Sequence, residues 1–357
     1  MDSYDRVMMA LSHSNPDRLP LDFTATPEVK DKLMQYLKLN DYESLLQYFG
    51  VDFRHFAPRY IGPKKYTETN FMNADNIDTD YFGISWKKVK NNFSKYYEIA
   101  YHPLKNMKTI EEIEKYNWPN PDWFDSKFIY EEVKKINKND RKVIVLYAGG
   151  VFEIAWYMRG LEQYLIDLAV NPNIAELISR KLMNFFKERT TRAINILGGI
   201  IDIIYSDGDI GTQNGMMISP DLWRKYIKPL SIELIKPFKE MGFKTMYHSC
   251  GSIIPVIKDF IEMGLDILDP IQTRALDMDP YSLKRNFGHR LSFHGGIDEQ
   301  KLLPYGNTQE VKDEVEKLVN TLGKKGGYIL SSSHAIQSDT PLENILTMYK
   351  TAREYKY

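Results

Sequence analysis

The densest chemistry in this 357-residue chain lies in Tyr247-His248-Ser249-Cys250-Gly251. A histidine and a cysteine two residues apart at a strand end point to one side. Together they offer an imidazole nitrogen and a thiolate to a zinc ion. Cys250 is the single cysteine, which excludes a two- or four-cysteine zinc site and any internal disulfide. Catalytic zinc takes about three protein ligands and keeps one position open. His334 is the expected third ligand, and Glu153 or Asp209 would complete the set. A buried structural cysteine beside a hydrogen-bonded histidine is the alternative reading of the same residues. Asp207 and Asp209 flank Gly208. Two carboxylates so placed bind substrate or act as general acid and base, or they form a solvated turn before the next helix. Gly295-Gly296-Ile297-Asp298 suits either close approach of backbone to a ligand or a tight strand-to-helix turn.

These residues share one kind of position: each follows a short β-rich run. The runs are 143–147, 200–205, 243–247, 265–268, 291–293 and 328–330. Helical periodicity fills the gaps at 155–170, 174–197, 220–241, 253–263, 280–286, 308–322 and 341–355. Ser219-Pro220, Asp279-Pro280 and Thr340-Pro341 are helix starts, and Gly242, Gly264 and Gly323 are stops. Two further runs, 21–24 and 51–56, bring the strands to eight. Eight strands alternating with helices predict a (β/α)8 TIM barrel, here with an N-terminal helical extension. No G-x-G-x-x-G opens a helix, which disfavours a doubly wound sheet. Residues 60–125 break the alternation with many aromatic residues and prolines. They read as a hairpin-bearing insertion near the barrel mouth, with a turn at Asn91-Asn92. The insertion carries too few element signals for its own core, so residues 1–357 are expected to form one domain.

In such a barrel the working residues gather at the C-terminal strand ends. Reading just past each run gives Gly149, Gly150 and Glu153; Asp207 and Asp209; His248 and Cys250; Asp269 and Gln272; His294 and Asp298; and Ser333, His334 and Gln337.

Composition narrows the functions further. Lys plus Arg total 47 against 48 Asp plus Glu, a net charge of −1. This balance, with no basic block, argues against a nucleic-acid partner. Apolar runs fall far short of the ~20 residues that span a bilayer, so no membrane association is expected. The first residues lack the basic and apolar segments of a secretory signal. With one cysteine, this predicts a cytoplasmic protein in a reducing compartment.

The order of several segments then becomes informative. Arg6-Val7 through Pro16-Asp17-Arg18-Leu19-Pro20 stands first, followed by Ser219-Pro220 with Trp223-Arg224. After them come His248-Ser249-Cys250-Gly251, Gly295-Gly296-Ile297-Asp298, and Ser333-His334 with Asp339-Thr340-Pro341 and Glu343-Asn344. In this the chain resembles the uroporphyrinogen decarboxylase superfamily, which includes cobamide-dependent methyltransferases. The resemblance covers nearly the full length and implies the barrel fold.

Its two branches imply different residues. Decarboxylases carry an arginine-rich R-x-x-G-R loop that holds the substrate's many carboxylates. After Leu21-Asp22-Phe23-Thr24 this chain reads Ala25-Thr26-Pro27-Glu28-Val29, without such a loop, so that branch is disfavoured. The methyltransferase branch carries His-x-Cys and a later cysteine as zinc ligands. The first two match His248 and Cys250. The later cysteine's position falls near His334, so the chain departs from the pattern there.

The resemblance therefore implies zinc-dependent methyl transfer between a small methylated donor or acceptor and a separate corrinoid protein carrying the cobamide. Glu153 and Asp209 are the expected acid–base or substrate-orienting groups. Gln272, His294 and Gln337 are expected to contact substrate. Some of Arg54, His55, Arg59 and Tyr60 are expected to face the pocket, with Trp156, Tyr157 and Arg159 on the wall beside Glu153. Carboxylate and arginine are both present, which leaves the substrate's charge open. Assembly as a homodimer is also left open. The second reading is decarboxylation of a porphyrinogen or smaller carboxylate, with Asp207 or Asp209 stabilising protonated intermediates. A catalytically silent barrel serving as a partner protein is the third.

Overall fold

In the computed structural model, residues 1–67, 79–90 and 95–355 are described. Seven strands form one parallel sheet in the order Phe53–Phe56, Val143–Gly150, Ile203–Asp207, Lys244–His248, Ile267–Ile271, Ser292–Ile297 and Tyr328–Ser332. The eighth stave is the segment around Leu21. Leu21 bridges Leu330 in parallel, and Asp22 N–H donates to Leu330 O at 3.0 Å. On the other side Asp52 N–H donates to Leu21 O at 2.9 Å, closing the ring onto the first strand. The expected (β/α)8 barrel is thus present, with residues 21–24 contributing bridges rather than a full strand.

The ring is filled in layers, as alternation along a strand requires. Phe53, Val143, Val145, Ile203, Met246, Ile267 and Ile329 form an apolar floor, and Val7 and Leu11 of the Ser3–Leu11 helix pack against it from below. Two residues further along each strand, the same inward face carries His55, Tyr147, Tyr205, His248, Asp269 and Ser331. The floor is oily and the layer above it is polar. The polar interior of the barrel therefore opens toward the C-terminal strand ends.

The strands run past the apolar runs that announced them. The third strand begins at Ile203 rather than residue 200, because Gly198–Ile200 is a short 3-10 turn. At the other end, Asp207, His248 and Asp269 stand side by side as register partners. The helix expected over 155–170 is two, Val151–Arg159 and Leu161–Val170, broken at Gly160. The extension comprises helices Ser3–Leu11, Pro27–Leu37 and Tyr42–Phe49. In the insertion, Ser85–Lys90 pairs antiparallel with Lys95–Tyr101. The turn expected at Asn91-Asn92 lies outside the described residues. Trp86 of this hairpin meets Tyr157 edge-on at 5.5 Å, which sets the insertion beside the mouth.

Candidate metal centre and active site

His248 ends its strand with Asp269 of the next strand beside it. Asp269 accepts a hydrogen bond from His248 Nδ1 at 2.9 Å and another from the Tyr205 hydroxyl at 2.9 Å. Burial works against its ionisation, but the neighbouring His294 and His248 hold its pKa well below the usual range. An ionised carboxylate only accepts, so Nδ1 must carry the proton. That leaves Nε2 as the free corner of the ring. It faces Cys250 Sγ at 3.4 Å and Asp209 Oδ1 at 3.4 Å.

Asp209, His248 and Cys250 each offer a donor atom, all within 4.8 Å of one another. Tetrahedral zinc with bonds of ~2.0–2.3 Å spaces its ligands ~3.3–3.8 Å apart, so the separations at Nε2 fit zinc. The electrostatics agree. Burial opposes charge on His248, yet Tyr205, Asp209, Asp269 and Cys250 raise its pKa well above the ordinary value. Carboxylates gathered on both sides of the ring in this way suit a cation at its free nitrogen. Burial pushes the Cys250 thiol up, partly offset by His248; a bound metal would deprotonate it outright.

The turn carrying Cys250 is fitted against its neighbour. Gly251 has φ of +81°, and a Cβ there would lie 2.6 Å from backbone atoms of Gly211 and Thr212. Cys250 N–H donates to Asp209 Oδ1 at 2.7 Å. The backbone of one loop thus orients the carboxylate of the other.

A cavity of about 780 Å³ opens over this cluster, lined also by Asp22, His55, Glu153, Tyr205, Asp207, Asp269, His294 and His334. Burial and the nearby Asp207 and Asp209 raise Glu153 to about 8, and the Tyr157 hydroxyl donates to it. Burial likewise raises Asp207 to about 6, while the Tyr147 hydroxyl donates to its two oxygens at 3.1 and 2.9 Å.

The expected residues divide by position. Glu153, Asp209, His248 and Cys250 come together. His334 lines the same cavity, but its ring centre is 6.5 Å from that of His248 and it lies outside the tight donor group. His294 lines the cavity too, with both ring nitrogens facing carboxylates.

The remaining expected contacts are directed elsewhere. Arg59 stacks over Phe128 at 4.2 Å, and Tyr60 stacks on Tyr81 at 5.5 Å, because their short strand pairs with Phe124–Asp125 in the insertion. Trp156 packs edge-on against Tyr157 at 4.2 Å. Gln272 accepts from Gly251 N–H at 2.8 Å, and Gln337 donates to Ala335 O at 2.8 Å. None of these five lines the cavity. Arg159 is buried on Asp167 and on carbonyls of residues 104 and 107. Arg54 lines the cavity with its guanidinium already paired bidentately to Glu43 at 2.7 Å.

Of the group expected near the pocket, Arg54 and His55 do line it. Asp22, Tyr147 and Tyr205 received no role from the sequence. The signal that would have found the two tyrosines was the inward alternation above the apolar floor. Asp22 had no such signal, since its segment is held by bridges alone.

Three comparisons bear on this site. Residues 96–355 match the family model described as uroporphyrinogen decarboxylase (URO-D). A uroporphyrinogen decarboxylase of Koribacter versatilis is 23% identical over 239 residues, 65% of this chain and 64% of that protein. The chain thus matches just under two thirds of that relative's length. A methylcobamide:CoM methyltransferase of Methanosarcina acetivorans is 24% identical over 145 residues, 40% of this chain and 39% of that protein. A solved methyltransferase from Methanosarcina mazei superposes with a TM-score of 0.68 at 17% identity, covering 99% of both chains. That last likeness is one of fold.

Proposed function

Because the chain belongs to the uroporphyrinogen decarboxylase family, whose relatives here bear both decarboxylase and methyltransferase names, we propose that it is a zinc-dependent methyltransferase. It moves a methyl group between a small methylated substrate or acceptor and a corrinoid protein. The observation that carries this reading is the convergence of Asp209, His248 and Cys250, the first two of which line the cavity.

His248 Nε2, Cys250 Sγ and an Asp209 oxygen would hold the zinc ion, which when bound supplies Lewis-acid activation of the heteroatom that gives or receives the methyl group. The cobamide belongs to the separate corrinoid partner. The chain's own residues do the rest. Asp269 holds the His248 ring so that Nε2 points into the cluster. Glu153, kept protonated near neutral pH by burial, carries a proton at its carboxyl for exchange with the reacting heteroatom. Tyr157 orients that carboxyl through its hydroxyl.

A second reading, decarboxylation, is favoured by the six uroporphyrinogen decarboxylases among the relatives. The cavity argues against it. Among the described residues, its one lining arginine, Arg54, is occupied by Glu43, and Lys30 sits 4.5 Å over the Tyr42 ring. A substrate with many carboxylates would meet few unspent cations.

The deciding experiment mixes purified protein with free cob(I)alamin and a panel of methyl donors and follows methylcobalamin by its absorption. Methylcobalamin formation that disappears in Cys250→Ser supports methyl transfer. Turnover of uroporphyrinogen that Cys250→Ser leaves intact would overturn it in favour of the decarboxylase. Absence of both activities, with no zinc in the purified protein, would leave the silent-barrel reading.

A further inference from the structure

His294 is 4% exposed and lies between two buried carboxylates. Its Nδ1 is 2.5 Å from Asp269 Oδ1, and its Nε2 is 3.1 Å from Asp22 Oδ2. Both carboxylates can only accept, so both ring nitrogens must carry protons and the ring is an imidazolium. Asp22 also accepts from His55 Nε2 at 2.7 Å. An alternating row therefore runs across the barrel from His55 through Asp22, His294 and Asp269 to His248.

We propose that His294 is a positioning residue for the metal ligand His248, acting through Asp269. This rests on reading His248 as a ligand. Asp269 spends one oxygen on His294 and the other on His248 and Tyr205. It cannot rotate toward one partner without losing another, and this three-way hold sets the plane of the His248 ring. The imidazolium is also the counter-charge for the buried Asp269. Without it the carboxylate would lose one of its three holds and could turn away from His248 Nδ1–H. The two hydrogen bonds to carboxylates explain why a cavity-lining histidine offers no nitrogen to a substrate.

The test compares His294→Asn, His294→Phe and Asp22→Asn with the wild type. Asparagine's amide can still donate toward Asp269, whereas phenylalanine keeps the ring and removes both donors. Zinc affinity is read by competition with a coloured chelator. Water exchange of the His248 Nδ1–H is read by NMR of 15N-histidine-labelled, zinc-stripped protein.

In the wild type that proton should exchange slowly. His294→Phe should speed its exchange and weaken zinc binding by ~10–100-fold, the loss typical of removing a ligand's hydrogen-bonded support. His294→Asn should restore part of both. Should His294→Phe fail to fold, Asp22→Asn unclamps the same ring from its far side and should change both readouts in the same direction. Folded variants that bind zinc like the wild type and keep the slow proton overturn the proposal. If the wild type binds no zinc, the ligand reading fails by itself, and the exchange of the ring proton still decides whether His294 positions His248.

Discussion

At the scale of single residues, the donor set ranks its own members. Asp209, His248 and Cys250 share the tight cluster, and His334 stands off from it. Cys250→Ser and Asp209→Ala should each weaken zinc binding by more than the ~10–100-fold seen when only a ligand's support is removed. His334→Ala should weaken it less than either. Titration with zinc against a chelator measures all three, and a His334→Ala loss equal to that of Asp209→Ala would reverse the ranking. The acid–base assignment has its own test. Glu153→Gln keeps the shape and loses the exchangeable proton, so kcat should fall by ~10²–10⁴. Arg59→Ala, on a side chain stacked outside the cavity, should leave it unchanged. Steady-state rates on one accepted donor distinguish the two. The His248–Cys250 pair was legible because it depends on two neighbouring positions. Asp209 against His334 was not, since that choice depends on how two distant loops cross at Gly211 and Gly251.

At the scale of elements, the strands end later than their apolar runs because backbone pairing continues where side chains turn polar. His248 still pairs with Asp207 and Asp269; hydropathy registers the change of side chain and not the continuing ladder. The insertion shows the same limit. Its hairpin was expected, but its anchor was not. Asp80 Oδ1 accepts from Phe82 N–H at 2.8 Å and Ile84 N–H at 3.1 Å, and Oδ2 accepts from Trp86 Nε1 at 2.9 Å. Burial outweighs these bonds and raises Asp80 from 3.8 to about 6. The folded state therefore holds this proton more tightly than the unfolded chain. Its contribution is full below the unfolded pKa and is lost as pH rises from about 4 to about 6, by up to about 3 kcal/mol. Asp80→Asn removes the titration. Denaturant melts near pH 4 and pH 7 should show the wild type losing stability relative to the variant at the higher pH. An equal difference at both would show that Asp80 does not titrate in this range.

At the scale of the whole molecule, closure depends on one buried carboxylate. Asp52 is fully buried, accepts from Arg6 at 2.8 Å and from Arg18 at 2.9 Å, and takes the Leu21 N–H at 2.9 Å. It joins the first helix, the closing segment and the first full strand. The early segment that carried the family resemblance thus serves assembly of the barrel. Asp52→Asn leaves two guanidinium groups without their shared counter-charge and should cost ~3–5 kcal/mol, measured by denaturant unfolding. A loss within ~0.5 kcal/mol, as for a surface change, would place the weight of closure elsewhere. The sequence by itself determined the alternation of strands and helices, hence the barrel. It also determined the His248–Cys250 pair, because periodicity and short spacings are local properties of a chain. Only the tertiary structure decided which side chains share the cavity. Arg59, Tyr60, Trp156, Gln272 and Gln337 follow expected strands yet spend their contacts elsewhere. Asp22 and His55, far apart from His248 in the chain, reach the same polar layer. Side-chain direction at a strand end depends on the loop packed against it, and that packing joins residues separated by most of the chain's length.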